Sequence, residues 1–359
     1  MTDRQTDRQT DRQTDRQTDR QTDNYNYGLA ILKIWMCFEV VCCHFGDGTE
    51  KNIVMSMLWQ CVGIFRRCAV PCFIIMTFYF ARKTFTVNDR GIFYKRLYRL
   101  LLPNLAWAII YIFVIWICQD YNAISGFGWS KAFALQVLLG HVYNRTMWFQ
   151  VDLIWLTCFY YILYKLFGKK ERLLKSILLF ILVVSVVLQY SCLNYKMFCM
   201  LPGYAKYTVG RVIEIIPYSI VGLLWEKDLL KQNTLWSVMR WTVLLILSCL
   251  IVKVDNIEGS FGYAGVGLLL MGHCVTRQFD ALNCLNFPEE WRAVIRKISP
   301  VTMGCYFMHR LIGTMIIYLN LNIVNDSPVT RCAAVFVVSM VCSYLMSLVH
   351  NKTVRAIVM

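Results

Sequence analysis

Ten stretches of this chain are so apolar, and so regularly spaced, that a bundle of membrane-crossing helices is the fold they most readily enter. Many are apolar runs of about 17–21 residues, long enough as helices to cross a hydrocarbon layer roughly 30 Å thick. They lie near residues 27–45, 65–82, 100–118, 147–167, 175–194, 208–225, 239–254, 261–276, 299–319 and 329–350. Lipid offers no partner for backbone polar groups, so the alternatives are helices or a closed barrel, and barrel strands of alternating polarity are not what these runs show. The predicted fold is therefore all-α: a polytopic transmembrane bundle of about ten spans. Residues 131–142 are apolar but short, and they predict a re-entrant or interfacial helix rather than another span.

The chain is 57% apolar and only 16% charged, with a mean hydropathy of +0.47, which excludes an ordinary water-soluble domain. Its net charge of +15 does not point to nucleic acid, because the basic residues sit in short clusters between apolar runs. One set of alternate loops holds Arg82, Lys83, Arg90, Lys95, Arg96 and Arg99, then Lys169 to Lys175, Lys227 to Arg240, Arg277 to Lys297, and Lys352 with Arg355. The opposite loops hold far fewer: Lys51, Arg66, Arg67, Lys131, Arg145, Lys196 and Lys206. The positive-inside bias thus predicts that both termini are cytoplasmic. Sixteen cysteines lie mostly within apolar runs, with no Cys-x-x-Cys pair, and they read as small buried apolar residues rather than as disulfides or metal ligands. No metal is expected.

Residues 1–24 form a separate tail, beginning with five copies of Thr-Asp-Arg-Gln after Met1. Charge-balanced and without an apolar face, this tail is expected to be disordered, and residues 25–359 to form the transmembrane domain. The tetrapeptide can be spelled ACA GAC AGA CAG, one four-base unit read through all three frames. A slippage-prone tract that shifts the frame and switches expression is one reading; a peptide-level repeat with mixed codons is the other.

Ionisable groups inside spans cost several kcal/mol, so each is a candidate for function. The first span carries Lys33, Glu39 and His44, with Lys33 and His44 roughly 16 Å apart along a helix. Arg96 and Arg99, three residues apart, present two guanidinium forks on one face, suited to phosphate; ordinary anchoring explains them as well. Arg66 and Arg67 stand on the side where basic residues are disfavoured, so topology alone does not account for them. Asp152 lies near the outer end of the fourth span, Arg211 and Glu214 are spaced to pair on one face of the sixth, and His309 lies mid-span in the ninth.

These pieces resemble, in order and spacing, the acyltransferase-3 superfamily of integral membrane O-acyltransferases, from about residue 25 to the end. Leu32-Lys33-Ile34 leading to His44 is similar to the family's basic residue followed, after ten intervening residues, by His. Arg67 to Thr77, with Val70-Pro71, resembles its Val-Pro-x-Phe-Phe-x-x-Ser-Gly segment. Arg96-Leu97-Tyr98-Arg99 ahead of Pro103 resembles its Arg-x-x-Arg stretch, and Tyr306-Phe307-Met308-His309 its late Tyr-Leu-x-His. The chain departs where Lys33 replaces the usual Arg, keeping charge but losing the fork, and where Thr77-Phe78 replaces Ser-Gly.

The resemblance implies transfer of acetyl from cytoplasmic acetyl-CoA to a glycan hydroxyl at the cell surface, in a bacterial inner membrane. Within that expectation His44 is the candidate base. Glu39, Asp152, Glu214 and His309 are further catalytic candidates, and Lys33, Arg66, Arg67, Arg96, Arg99 and Arg211 candidate contacts to the donor. The expected partners are acetyl-CoA, a glycan or lipid-linked glycan and membrane lipid. The rival readings are a transporter or flippase, which would also carry charges within spans but shows no internal repeat here, and a glycan polymerase or ligase, whose large outer loop is missing.

Overall fold

The computed structural model describes residues 25–46, 53–87, 89–118, 129–140, 147–190, 203–225, 234–255, 263–285, 287–319, 327–349 and 352–358. The predicted tail, 1–24, lies outside them. The described residues form helices with no strand. In chain order these are α1 (Tyr27–Phe45), α2 (Ile53–Arg66), α3 (Ala69–Thr86), α4 (Arg90–Cys118), α5 (Trp129–Leu139), α6 (Trp148–Phe167) and α7 (Glu171–Tyr190). They continue as α8 (Gly203–Leu224), α9 (Thr234–Asp255), α10 (Val266–Ala281), α11 (Glu289–Ile298), α12 (Thr302–Tyr318), α13 (Pro328–Leu348) and α14 (Lys352–Val358).

A helix stands on each of the ten apolar stretches, and four helices, α1, α4, α7 and α13, are long and apolar enough to cross a membrane by length and composition. The burial pattern explains why others, such as α6 and α8, read as less apolar. Gln150 and Asp152 of α6 and Arg211 and Glu214 of α8 are fully buried, whereas Phe180, Val183 and Val187 of α7 and Val337, Val341 and Leu345 of α13 are exposed. Charge inside and hydrocarbon outside is the distribution of a protein whose solvent is lipid.

Helix α1 is the hub, packing on α3, α10, α12 and α13. Asn26 caps its start, its side-chain oxygen accepting from the Leu29 amide at 2.9 Å while its Nδ2 donates to Asp280 at 2.5 Å. At the far end the Gly46 amide donates to the Cys42 carbonyl at 2.9 Å, closing the last turn. Gly222 of α8 lies where a Cβ would strike the backbone of Ile75, so its lack of side chain lets α8 and α3 approach closely.

Two local departures from regular helix stand where side chains of neighbouring helices bond backbone carbonyls. Pro103 leaves the Arg99 carbonyl of α4 without its helical donor, and the next carbonyl along, that of Leu100, accepts from Gln150 Nε2 of α6 at 2.9 Å. The short α5, overlapping the 131–142 stretch predicted to fall short of a span, stops at Gly140 with φ +68°. Its last carbonyls accept from Asn104 (Val137, 3.0 Å), Trp155 (Leu138, 3.3 Å) and Arg211 (Leu139, 3.2 Å). A helix end inside the protein is thereby satisfied without water. Helix α2, by contrast, was not among the expected segments: at 14 residues it falls below the length of a span.

Candidate active site

His44 lies in the last turn of α1 and His309 in the middle of α12, and packing of these two helices brings their rings to 5.3 Å between centroids, tilted by 30°. His309 is fully buried. Its Nδ1 faces the carbonyls of Tyr306 at 2.6 Å and Cys305 at 3.3 Å. Carbonyls can only accept, so Nδ1 carries the proton and Nε2 keeps its lone pair. That Nε2 is buried with no hydrogen-bond partner. A buried basic nitrogen held ready in this way is costly unless something uses it.

Beside the pair lies a cavity of about 60 Å³ lined by Val40, Cys43, His44, Arg66, Ala69, Val70, Trp148, Phe149, Tyr263 and Tyr306. Several of these walls are held from behind by the charged residues of α6 and α8. Arg211 forms a two-pronged pair with Asp152, Nε to Oδ2 at 2.8 Å and Nη2 to Oδ1 at 2.9 Å, with both side chains fully buried. Its guanidinium stands 5.1 Å from the Trp148 ring centre, and Trp148 lies 5.6 Å from the Tyr263 ring. Glu214 accepts from the Tyr263 amide at 3.1 Å, and the Tyr218 hydroxyl donates to the Tyr263 carbonyl at 2.6 Å. The spacing of Arg211 and Glu214 suggested a pair within α8. Instead, Arg211 reaches across to α6 and Glu214 to the backbone ahead of α10, because two helices packed face to face offer contacts that one-helix spacing does not show.

On the other flank, Glu39 is fully buried with one oxygen accepting from Trp35 Nε1 at 2.9 Å and the other buried without a partner. Arg66 stacks on Trp59 at 3.9 Å and is among the residues lining the cavity. Arg67 is exposed and is not among the lining residues. No third His, Cys, Asp or Glu groups with the two imidazoles among the described residues.

A family model of the acyltransferase domain (acyltransferase-3) matches residues 26–348, nearly the whole chain. The chain belongs to this family. No curated protein and no solved structure matches it significantly. The match places the acyltransferase's two histidines, its cavity and its basic clusters within one family domain in a membrane-type helical chain.

Lys33, Arg96 and Arg99, the remaining predicted residues of the acyltransferase, are not among the residues lining this cavity. Lys33 is half-buried on α1, roughly 16 Å from His44 along the axis. Arg96 is half-buried near the start of α4, with Nε and Nη2 buried and without hydrogen-bond partners, while Arg99 is exposed. Antiparallel packing on α6 brackets that segment: Phe93 stacks on Tyr161 at 3.8 Å, and the Leu100 carbonyl, one turn past Arg96, accepts from Gln150, the neighbour of cavity-lining Phe149. Further along α4, roughly 20 Å from Arg96, the Tyr111 hydroxyl donates to the Phe307 carbonyl at 2.9 Å, two residues before His309. Tyr263 was not singled out from the sequence. It precedes α10 in a stretch taken as apolar span, and only the contacts from Glu214 and Tyr218 reveal it as a wall of the site.

Proposed function

We propose that this acyltransferase moves an acetyl group from cytoplasmic acetyl-CoA to a hydroxyl of a surface glycan, with the His44–His309 pair as its acid–base centre. The observation that carries the reading is the buried, unpartnered Nε2 of His309 set against the His44 ring beside a cavity. His44, half-buried and lining that cavity, takes the proton from the acceptor hydroxyl. The hydroxyl oxygen forms the new C–O bond at the acetyl carbonyl, the C–S bond of the thioester breaks, and the proton passes to the departing sulfur. His309, pinned by the Tyr306 carbonyl, offers the second basic nitrogen through which that proton is held.

Donor docking falls to basic residues outside the cavity's lining. Arg96 fits a phosphate, because two of its donors are buried and lack acceptors, and a bidentate oxyanion supplies two. Arg99, exposed a turn away, and Lys33 add charge on the donor's path. Asp152, Arg211 and Glu214 act by positioning Trp148 and Tyr263, and Glu39 and Arg66 set the charge of the cavity's other flank. The bundle then bridges two compartments, with ten spans, cytoplasmic termini and a bacterial inner-membrane location. A frame-shifting tract in residues 1–24 would suit a variable acceptor such as lipopolysaccharide or capsule.

The test is transfer of labelled acetyl from acetyl-CoA in membranes with and without the protein. Label appearing in the glycan fraction only with the protein supports acyl transfer. Glycan precursor crossing the membrane while no label reaches glycan would instead assign the chain to transport.

A further inference from the structure

Helices α3 and α6 each border a cavity at both ends. At one end Val70 and Phe149 line the small cavity beside His44; at the other, Arg82 and Lys165 line a second cavity of about 410 Å³ closed in by α7 and α8. From Val70 to Arg82, and from Phe149 to Lys165, the helices rise roughly 18–24 Å, so the second cavity lies across the bundle from the first. Its volume is at the low end of small-molecule sites, which run from about 300 to 1,000 Å³.

The floor of this cavity is apolar, built from Phe85, Leu174, Leu178 and Leu223, and its rim carries Arg82, Lys165, Lys169 and Lys175 against one carboxylate, Glu171. That carboxylate is engaged by Lys175 at 3.1 Å, and Arg82 gives one nitrogen to the Trp225 carbonyl at 3.1 Å. Lys165 and Lys169 are exposed and have no ion pair among the described residues. Beside the floor, α6 and α7 turn Ile162, Leu166, Leu179 and Phe180 outward, so an apolar wall leads from the cavity to the lipid-facing surface. Positive-inside anchoring accounts for lysines at this end but not for an interhelical hollow with an apolar floor beneath them.

We propose that this cavity binds an anionic phospholipid, its phosphate among Lys165, Lys169, Lys175 and Arg82 and the first part of an acyl chain on Phe85, Leu174 and Leu178. A basic pocket between helices at the cytoplasmic face matches an anionic head, and the apolar floor matches the chain that a soluble phosphate lacks. The inference stands apart from acyl transfer, since it uses none of the residues given to that reaction.

Native mass spectrometry of the full chain in detergent, incubated with phosphatidylglycerol, cardiolipin or phosphatidylcholine, tests it. Replacing Lys165→Gln, Lys169→Gln and Lys175→Gln together should weaken retention of the anionic lipids on the order of fivefold per lysine. Lys83→Gln, Lys170→Gln and Arg172→Gln remove the same charge outside the lining and should leave retention within about twofold of wild type. Leu178→Trp, which fills the floor with every charge in place, should also expel the lipid. The proposal is overturned if the control triple loses as much as the cavity triple, if Leu178→Trp retains lipid normally, or if phosphatidylcholine is held equally well. Coenzyme A should leave the retained lipid in place; displacement would give the cavity to the nucleotide's phosphates and end the lipid assignment.

Discussion

Asp152 and Arg211 offer the sharpest structural prediction, because their pair is fully buried and two-pronged, with bonds of 2.8 and 2.9 Å. Neither side chain is exposed, so solvent screening does not discount the interaction. Asp152→Leu takes away both carboxylate oxygens to which the guanidinium donates and should cost about 3–5 kcal/mol, roughly two to three and a half powers of ten in the folded-to-unfolded ratio. Arg211→Met strands the carboxylate and also strips the Leu139 carbonyl of its donor, and should cost a similar amount. Both changes together exchange an ion pair for apolar contact and should return to within about 1–2 kcal/mol of wild type. Unfolding titrated with SDS in mixed micelles, followed by tryptophan fluorescence, measures all three and closes a double-mutant cycle. Single variants that lose less than about 0.5 kcal/mol, or a double variant that simply adds the two losses, would refute the burial of the pair and its role in holding α6 to α8.

Gly222→Ala should force α8 from α3, since a Cβ there meets the backbone of Ile75, and should lower stability by about 1–3 kcal/mol in the same titration. Arg96→Gln removes a charge-assisted fork worth about 1.5–3 kcal/mol, so the KM for acetyl-CoA should rise roughly ten- to a hundredfold with kcat little changed. An unchanged donor dependence would return Arg96 to anchoring. Arg96→Lys should recover only part of that loss, because lysine restores charge without the two-donor geometry.

How much of this was legible in the sequence follows from the range of each interaction. The helices of α6 and α13 were legible almost to the residue, because an apolar run of span length has few other uses, and the shortness of α5 already set it apart. The placement of α2 was not, since its 14 residues fall under the span threshold. His44 and His309 each stood out as ionisable residues in apolar surroundings, yet nothing in a separation of hundreds of positions says that their rings meet; the α1–α12 packing decides that. The same holds for Arg211, whose one-helix spacing offered Glu214 while the fold supplied Asp152. Arg66 and Arg67 stood out together, because the expected topology set their charges on the disfavoured side; that argument does not separate them, and of the two Arg66 lines the cavity.

The central claim is that two imidazoles act as one acid–base unit, and the direct measurement is acetyl transfer from acetyl-CoA to glycan in membranes holding equal amounts of wild type, His44→Ala, His309→Ala and the double variant. Each single change should lower the rate by about 10²–10⁴-fold, the usual worth of general acid–base catalysis, and the double variant should be no slower than the slower single one. Full activity in either single variant, or losses that multiply in the double, would contradict it.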